Sequence, residues 1–205
     1  AGISYVLSSP THHCLEDITA IRLLPHITLF SPSDVVLTKK FFNYSLQKKI
    51  PKYIRFDSKI LPSIYSVEDN INFDDGFVEL RDAKKKCIVA TGYMTHKALT
   101  VSADLKKENI DCGVIDMFLL TNYNKTALAE ILKKYDTIIT LEEAFINRGG
   151  LDSLIANIIA DYNLSAKLIR LGFKDKFVFE NGTREYLHSL QGLAIENIKE
   201  IIKEN

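Results

Sequence analysis

The chain has 205 residues, of which 46% are hydrophobic and 25% are charged, and its 26 basic residues balance its 26 acidic residues. A chain of this length can bury one large core or two modest ones. A formal net charge of zero, with no basic tract interleaved with aromatic residues, argues against a nucleic-acid-binding surface. No stretch approaches the roughly 20 apolar residues that span a bilayer, and the first residues do not resemble a signal peptide. We therefore expect a cytoplasmic protein that binds neither nucleic acid nor membrane.

The three cysteines are Cys14, Cys87 and Cys112. They are odd in number and widely spaced, and Cys87 and Cys112 open apolar, strand-like runs. This pattern is typical of reduced thiols in a core, rather than of disulfides or of a metal site.

Helices and strands alternate in the first part of the chain. A short amphipathic helix is predicted over residues 15–24, because apolar residues recur on one face and a proline follows. Residues 27–30 form an apolar strand. Residues 31–34 (SPSD) offer capping side chains for a helix that reaches about residue 49, and a strand is predicted over 52–56. This alternation is typical of a parallel α/β sheet.

Residues 57–76 contain prolines, serines and an acidic run, which predict a connector. We assign Asp74-Asp75-Gly76 within it to a solvated turn. The alternation then resumes. Strands are predicted over residues 77–80, 87–91, 113–118, 137–141 and 167–171, and helices over 95–108, 125–134, 150–161, 183–190 and 195–202.

Two sets of motifs carry a resemblance to a known family. The turn PTHHCLED at residues 10–17, the step RLLPHIT at 22–28 and the cap SPSD at 31–34 resemble the pyrimidine-binding module of transketolases. The motif TLEE at 140–143, the glycine pair at 149–150 and the step GFKDKF at 172–177 are similar to the transketolase C-terminal domain.

The resemblance implies an α/β fold in two parts. A partial three-layer pyrimidine (thiamine-diphosphate-binding) module would occupy residues 1–58, and a linker would occupy 59–76. A three-layer α/β/α transketolase C-terminal domain, with a mostly parallel, mixed sheet, would follow at 77–205.

The resemblance also implies a cofactor that this chain cannot hold alone. Transketolases bind thiamine diphosphate and Mg between a diphosphate-binding domain and a pyrimidine-binding domain, usually of two subunits. The diphosphate part carries Gly-Asp-Gly and, further on, paired asparagines, and this sequence has no such pair of motifs. We expect the chain to begin inside the pyrimidine module, downstream of the glutamate that activates the cofactor. Its expected partners are the diphosphate-binding segment or subunit and a second copy in a homodimer.

His12 matches the family histidine that lies beside the hydroxyls near C1 of the sugar, where an imidazole can donate and accept hydrogen bonds. Its alternative role is to cap the following helix. His13 either supports neighbouring groups or lies at the surface. Arg55 matches the arginine that holds the sugar phosphate, and its alternative is an exposed arginine paired with Asp57. Ser8 replaces an aspartate that commonly contacts a substrate hydroxyl, so the substrate preference need not match that of ordinary transketolases.

The remaining polar motifs have structural interpretations. Arg148-Gly149-Gly150 at a helix start can cradle an anion, but a tight turn with close packing is favoured. Arg22 is expected to form structural ion pairs. Glu142 and Glu143 are interpreted as interface or solvated charges.

The sequence therefore predicts the C-terminal section or subunit of a transketolase-like enzyme. In the complete enzyme the cofactor carbanion would attack a ketose phosphate and pass a two-carbon ketol unit to an aldose. The chain alone is expected to be inactive and to bind no thiamine diphosphate. Alternatives are a portion of a deoxyxylulose phosphate synthase, a two-oxo-acid dehydrogenase β subunit, or a non-catalytic dimerisation or regulatory module.

Overall fold

The computed structural model describes residues 1–7 and 9–205 of the chain. Ser8, a predicted substrate contact, lies outside these residues. The α-helices in the described part are α1 (Asp17–Arg22), α2 (Val35–Gln47), α3 (Tyr93–Lys107), α4 (Lys125–Leu132), α5 (Leu151–Asp161), α6 (Arg184–Leu190) and α7 (Ile195–Glu204). The strands are β1 (Thr28–Phe30), β2 (Lys52–Ile54), β3 (Phe77–Arg81), β4 (Lys86–Ala90), β5 (Gly113–Met117), β6 (Thr137–Phe145) and β7 (Lys167–Phe173). Each predicted helix and strand is present, with its ends shifted by a few residues.

The strands β3 to β7 form the larger sheet, in the order β3-β5-β4-β6-β7. Neighbouring strands are parallel, except that β3 runs antiparallel to β5 at one edge. Ala90 at the end of β4 pairs with Asp116 of β5 and with Leu141 of β6, so the carboxyl ends of these strands lie side by side. The predicted mostly parallel, mixed sheet is confirmed.

Helices cover both faces of the larger sheet. Ile88 and Ala90 of β4 pack on one side, in a core that includes residues of α3, α6 and α7. Cys87 and Val89 point to the opposite core, which includes residues of α4 and α5. Because successive residues of a strand face opposite sides, this alternation buries both faces. The three-layer α/β/α arrangement is therefore confirmed.

The strands β1 and β2 form a separate parallel pair, the smaller sheet. Helix α2 begins after Asp34, whose side chain accepts a hydrogen bond from the backbone N–H of Leu37 as an N-cap. Phe30 of β1 stacks on Phe41 of α2 with ring centroids 3.7 Å apart, and Phe73 packs against both rings. An aromatic core thus joins α2 and the smaller sheet to the connector.

The N-terminal residues pack directly onto the larger sheet. Ile3 and Leu15 are buried in the same core as α3, while Ile18 and Leu29 belong to the core with α5. Residues 57–76 are also anchored, because the side chain of Tyr65 is only 5% exposed. The cores are continuous across residues 58 and 76, so the division of the chain at these positions stays a prediction.

Strand β6 is longer than predicted. It runs to Phe145 and is buried along its whole length, although the sequence pattern placed its end at residue 141. The difference arises because Glu142 and Glu143 resemble a polar loop, whereas both carboxylates find hydrogen-bond donors inside the protein. In residues 1–7 and 9–205, no helix is long and apolar enough to cross a membrane.

Candidate functional site

His12 lies in a turn that is closed at its base. Gly2 and Cys14 exchange backbone hydrogen bonds of 3.1 and 2.8 Å, and a short 3-10 helix, Ser9–Thr11, precedes the histidine. The His12 imidazole is exposed, stacks on Tyr5 with ring centroids 5.0 Å apart, and has Nδ1 2.9 Å from the Thr11 hydroxyl. Because Nδ1 contacts Thr11, Nε2 is the ring nitrogen available to meet a substrate. We call residues 2–7 and 9–14 the His12 turn.

His13, the next residue, is half-buried. Both of its ring nitrogens are buried, and neither has a hydrogen-bond partner among the described residues. Burial lowers the pKa of His13, and the nearby Glu143 and Glu16 carboxylates only partly offset that effect. The side chain is therefore kept as a neutral imidazole at the base of the turn.

Arg55 lies beneath the same turn, with 6% of its surface exposed. Its Nε donates to Asp17 Oδ2 at 2.8 Å, and its Nη2 donates to the carbonyls of Cys14 (3.0 Å) and Glu143 (2.9 Å). The sequence suggested Asp57 as an alternative partner, but Asp57 pairs with Arg184 at 2.8 Å. Two of the three guanidinium nitrogens of Arg55 are thus committed to the protein, and its role in phosphate binding stays a prediction.

Glu143 lies at the centre of a buried charge cluster. Its carboxylate accepts hydrogen bonds from Arg184 Nε (2.8 Å) and Nη2 (2.6 Å), from His188 Nε2 (2.7 Å) and from the backbone N–H of Ile3 (3.2 Å). Burial alone would raise the pKa of Glu143, but the hydrogen bonds from Arg184 and His188 outweigh it and hold the pKa far below its usual range. The Glu143 carboxyl is therefore stabilised in its charged form.

Helix α6 supplies the partners of Glu143 from one face, because Arg184 and His188 are four residues apart. Lys97 Nζ donates to His188 Nδ1 at 2.8 Å and forms an ion pair with Glu185 at 2.7 Å. The lysine contact makes Nδ1 the acceptor, so Nε2 carries the proton that His188 donates to Glu143.

The loop before α5 is held by protein groups. Arg22 donates to the carbonyls of Gly149 and Gly150, and Arg148 pairs with Asp175. Gly149 has a φ of +93°, which favours glycine. These contacts agree with the structural interpretation of the glycine pair. Arg22 also has a structural role, but its partners are backbone carbonyls, and among the described residues it forms no ion pair.

Glu142 points to the opposite face of β6 from Glu143. It accepts hydrogen bonds of 2.8 Å from the N–H groups of Leu151 and Asp152 at the start of α5. Burial raises the pKa of the Glu142 carboxyl to about 7. The interpretation of Glu142 and Glu143 as interface or solvated charges is wrong, because 0% and 2% of their surfaces are exposed and their partners lie within the chain.

The charge cluster around Glu143 was not recognised in the sequence. A usable signal was present, because two glutamates directly follow five strand residues of high β propensity and REYLH at residues 184–188 places a guanidinium and an imidazole one helical turn apart. Charged residues that continue a buried strand need partners inside the protein. The local pattern does not indicate which partners they find.

A family model of the transketolase C-terminal domain matches residues 76–198, more than half of the chain. The chain belongs to the transketolase C-terminal domain family. It is 34% identical over 195 residues to the 1-deoxy-D-xylulose-5-phosphate synthase of Clostridium tetani, a match that covers 94% of this chain and 31% of that protein. It is 29% identical over 202 residues to one subunit of the apulose-4-phosphate transketolase of Actinobacillus succinogenes, covering 98% of this chain and 64% of that polypeptide.

Solved transketolase structures share the fold. The chain superposes with a TM-score of 0.83 and 27% identity on a split-gene transketolase described as an inactive beta4 tetramer, over 95% of this chain and 62% of that one. The chain spans less than two thirds of each of these relatives. It is thus a transketolase-like C-terminal section or subunit, and the similarity extends through the His12 turn, upstream of the residues that the family model matches.

Proposed function

We propose that this chain is the part of a transketolase-like enzyme that contacts the sugar phosphate during the transfer of a two-carbon ketol unit. The observation that carries the proposal is the exposed His12 imidazole, in a turn that lies within the chain's similarity to transketolase subunits. Its Nε2 suits hydrogen bonding to a sugar hydroxyl, because an imidazole nitrogen can donate or accept a hydrogen bond.

His13, Arg55 and Ser8 have different proposed parts. His13 supports the base of the turn as a neutral ring, and Arg55 holds the turn in place through the carbonyl of Cys14. Contact of Arg55 with the sugar phosphate would use the one guanidinium nitrogen, Nη1, that is not committed to Asp17 or to a carbonyl. Ser8, which lies outside the described residues, would contact a substrate hydroxyl.

The cofactor has to be held largely by another segment or subunit. The sequence has no Gly-Asp-Gly followed by paired asparagines, the motifs with which the family holds the metal and diphosphate end of thiamine diphosphate. We therefore propose that a diphosphate-binding partner supplies that end, that two copies of the assembly form a dimer, and that this chain alone is inactive.

The surface of the smaller sheet supports such a partner. Strand β2 pairs with β1 along one edge, and among the described residues no strand covers its other edge. Ile54 and Phe56 at the end of β2 are 36% and 54% exposed, and Phe42 and Leu46 on one face of α2 are 63% and 64% exposed. An open strand edge beside exposed apolar residues is a typical place for a further chain segment to pack.

The test combines the chain with a diphosphate-binding partner from the same organism, thiamine diphosphate and Mg, and measures ketol transfer between sugar phosphates. Replacing His12 with asparagine is expected to lower kcat/KM about 10- to 100-fold, the effect of losing one hydrogen bond to a reacting group. His26→Asn is the matched control, because His26 is also exposed and has a φ of +59°, which asparagine tolerates. Equal activities of the two variants would refute the role of His12.

A second candidate function is deoxyxylulose phosphate synthesis. It is favoured by the 34% identity to the synthase of Clostridium tetani. Assaying the same assembly with pyruvate in place of a ketose phosphate donor distinguishes the two. Activity with pyruvate as the donor, but not with a ketose phosphate, would establish the second function. The absence of both activities would favour a non-catalytic module.

A further inference from the structure

The His12 turn is fastened to the C-terminal part of the chain at both ends. At its start, the N–H of Ile3 donates to Glu143 Oε2 at 3.2 Å. Directly after its end, the carbonyl of Leu15 accepts a hydrogen bond of 3.2 Å from the N–H of Phe145. Both attachment points lie on β6, about 130 to 140 residues away along the chain.

The tip of the turn has a third attachment. The Ser9 hydroxyl contacts the carbonyl of Phe179 at 3.0 Å and Asn181 Oδ1 at 2.9 Å, in the segment between β7 and α6. The turn is therefore attached to β6 and to the 179–181 segment, in addition to its contacts with Arg55 and Ser58 after β2.

The Glu143 carboxylate lies in close contact with the backbone at the start of the turn. A Cβ atom on Gly2 would overlap the Glu143 carboxylate, and Gly2 has a φ of +54°. The Ile3 side chain is fully buried in the core with α3. The backbone at Gly2 and Ile3 is thus in close contact with the Glu143 carboxylate.

The carboxylate itself is fixed from the opposite side. Arg184 binds it with two hydrogen bonds of 2.8 and 2.6 Å, and His188 adds a third of 2.7 Å. A bidentate guanidinium contact restrains both position and orientation of a carboxylate. Arg184 is held in turn by Asp57 and by stacking on the Tyr93 ring, 3.5 Å from its centroid.

We propose that Glu143, held by Arg184 and His188, is a positioning residue that sets the place of the His12 imidazole. The inference rests on the proposed role of His12, and Glu143 acts only through the turn. The C-terminal domain then contributes to the substrate site, although the substrate-contacting residues lie outside it.

The first test measures the turn itself, without catalysis. In Glu143→Gln, the amides of Ile3, His12 and Cys14, all hydrogen-bonded in the wild-type chain, are expected to lose protection from hydrogen exchange by NMR. The His12 imidazole resonances are expected to shift as well. Glu142→Gln is the matched control, because it makes the same substitution at an equally buried glutamate on the same strand whose contacts lie at α5.

The expected result is loss of protection in Glu143→Gln alone. Unchanged protection and unchanged His12 resonances in a folded Glu143→Gln chain would overturn the proposal, as would an equal effect of Glu142→Gln. If circular dichroism shows that Glu143→Gln does not fold, Arg184→Lys is measured in its place, since lysine keeps the charge but loses the bidentate contact.

The second test uses the complete assembly. Glu143→Gln is expected to lower kcat/KM about 10- to 100-fold through displacement of the imidazole. In the His12→Asn background the same change should have less than about a twofold effect, because it acts through His12. A full additional loss in that background would overturn the positioning role. A wild-type assembly without transfer activity would instead refute the proposed function, while the exchange result would still stand.

Discussion

The ion pair between Arg55 and Asp17 is almost completely buried from solvent, with 4% and 7% of the respective side chains exposed. Asp17 accepts from Arg55 at 2.8 Å and from the hydroxyl of Tyr53 at 3.2 Å, so its charge is well compensated. In such a site, removing one partner lowers the free energy of unfolding by more than the pair contributes to it. The reason is that the other charge stays buried without compensation.

We predict that Arg55→Met lowers the free energy of unfolding by about 3–5 kcal/mol. Chemical denaturation of the purified chain measures the change. Arg148→Met is the control, because Arg148 and Asp175 are 57% and 68% exposed and such surface pairs contribute about 0–1 kcal/mol. A loss as small as that of the control would show that the pair does not stabilise the fold.

At the residue scale, the sequence located the turn that carries His12, whereas only the structure showed which residues support that turn. The motif context placed His12 in a turn before α1, because a proline and the following helix pattern are local signals. It did not reveal that Glu143 and Arg184 support that turn from far along the chain. Their contacts depend on which strand ends meet at one edge of the larger sheet, which no local spacing encodes.

At the element scale, Asp116 joins four parts of the fold. It lies at the carboxyl end of β5 and accepts hydrogen bonds from Ser33 before α2 (2.6 Å), from Tyr65 in the connector (2.8 Å) and from Thr95 in α3 (2.8 Å). Burial raises the pKa of the Asp116 carboxyl to about 6, and the three hydroxyl donors offset this only in part.

A carboxyl whose pKa is higher in the folded than in the unfolded state binds more protons when folded. We therefore predict that Asp116 makes the protein less stable as pH rises from about 4 to 6, with no further change above that range. Two units of pKa correspond to about 3 kcal/mol at most. Asp116→Asn should remove this part of the pH dependence.

Urea unfolding of Asp116→Asn and wild type at several pH values across that range measures the difference. Asp136→Asn serves as the control, because Asp136 is exposed, and it should keep the wild-type dependence. Parallel curves for Asp116→Asn and wild type would contradict the prediction.

Elements with a strong apolar period were predicted well, as α5 and β4 illustrate. The predicted strand β6 ended too early, at residue 141, because the next two residues carry charge. A hydrophobic pattern predicts a buried strand only where the buried side chains are apolar. At the end of β6 the buried side chains are charged, and hydrogen bonds compensate for their loss of contact with water.

At the scale of the whole molecule, the two sheets differ in how completely they are covered. The larger sheet buries both faces under helices, whereas β2 and the outer face of α2 leave apolar side chains in solvent. We predict that adding the diphosphate-binding partner slows amide exchange in β2 and in the His12 turn.

Hydrogen–deuterium exchange with mass spectrometry, with and without the partner, measures this protection. Helix α4, on one face of the larger sheet, is the internal reference and should not change. Protection confined to α4 and α5 would place the partner elsewhere and contradict the prediction.

The sequence by itself determined the order of helices and strands, the α/β class with its mostly parallel sheet, the family and the His12 turn. The order of elements and the α/β class follow from hydrophobic period and capping residues, which act over a few neighbouring residues, whereas the family follows from the resemblance of motifs along the chain. Only the tertiary structure decided the partners of the buried charges: Arg55 with Asp17, Arg184 with Asp57 and Glu143, and Glu143 with the start of the turn. A buried charge takes whichever opposite charge the packed chain brings within reach, since desolvation makes an unpaired one too costly, and that choice exists only once the strands are assembled.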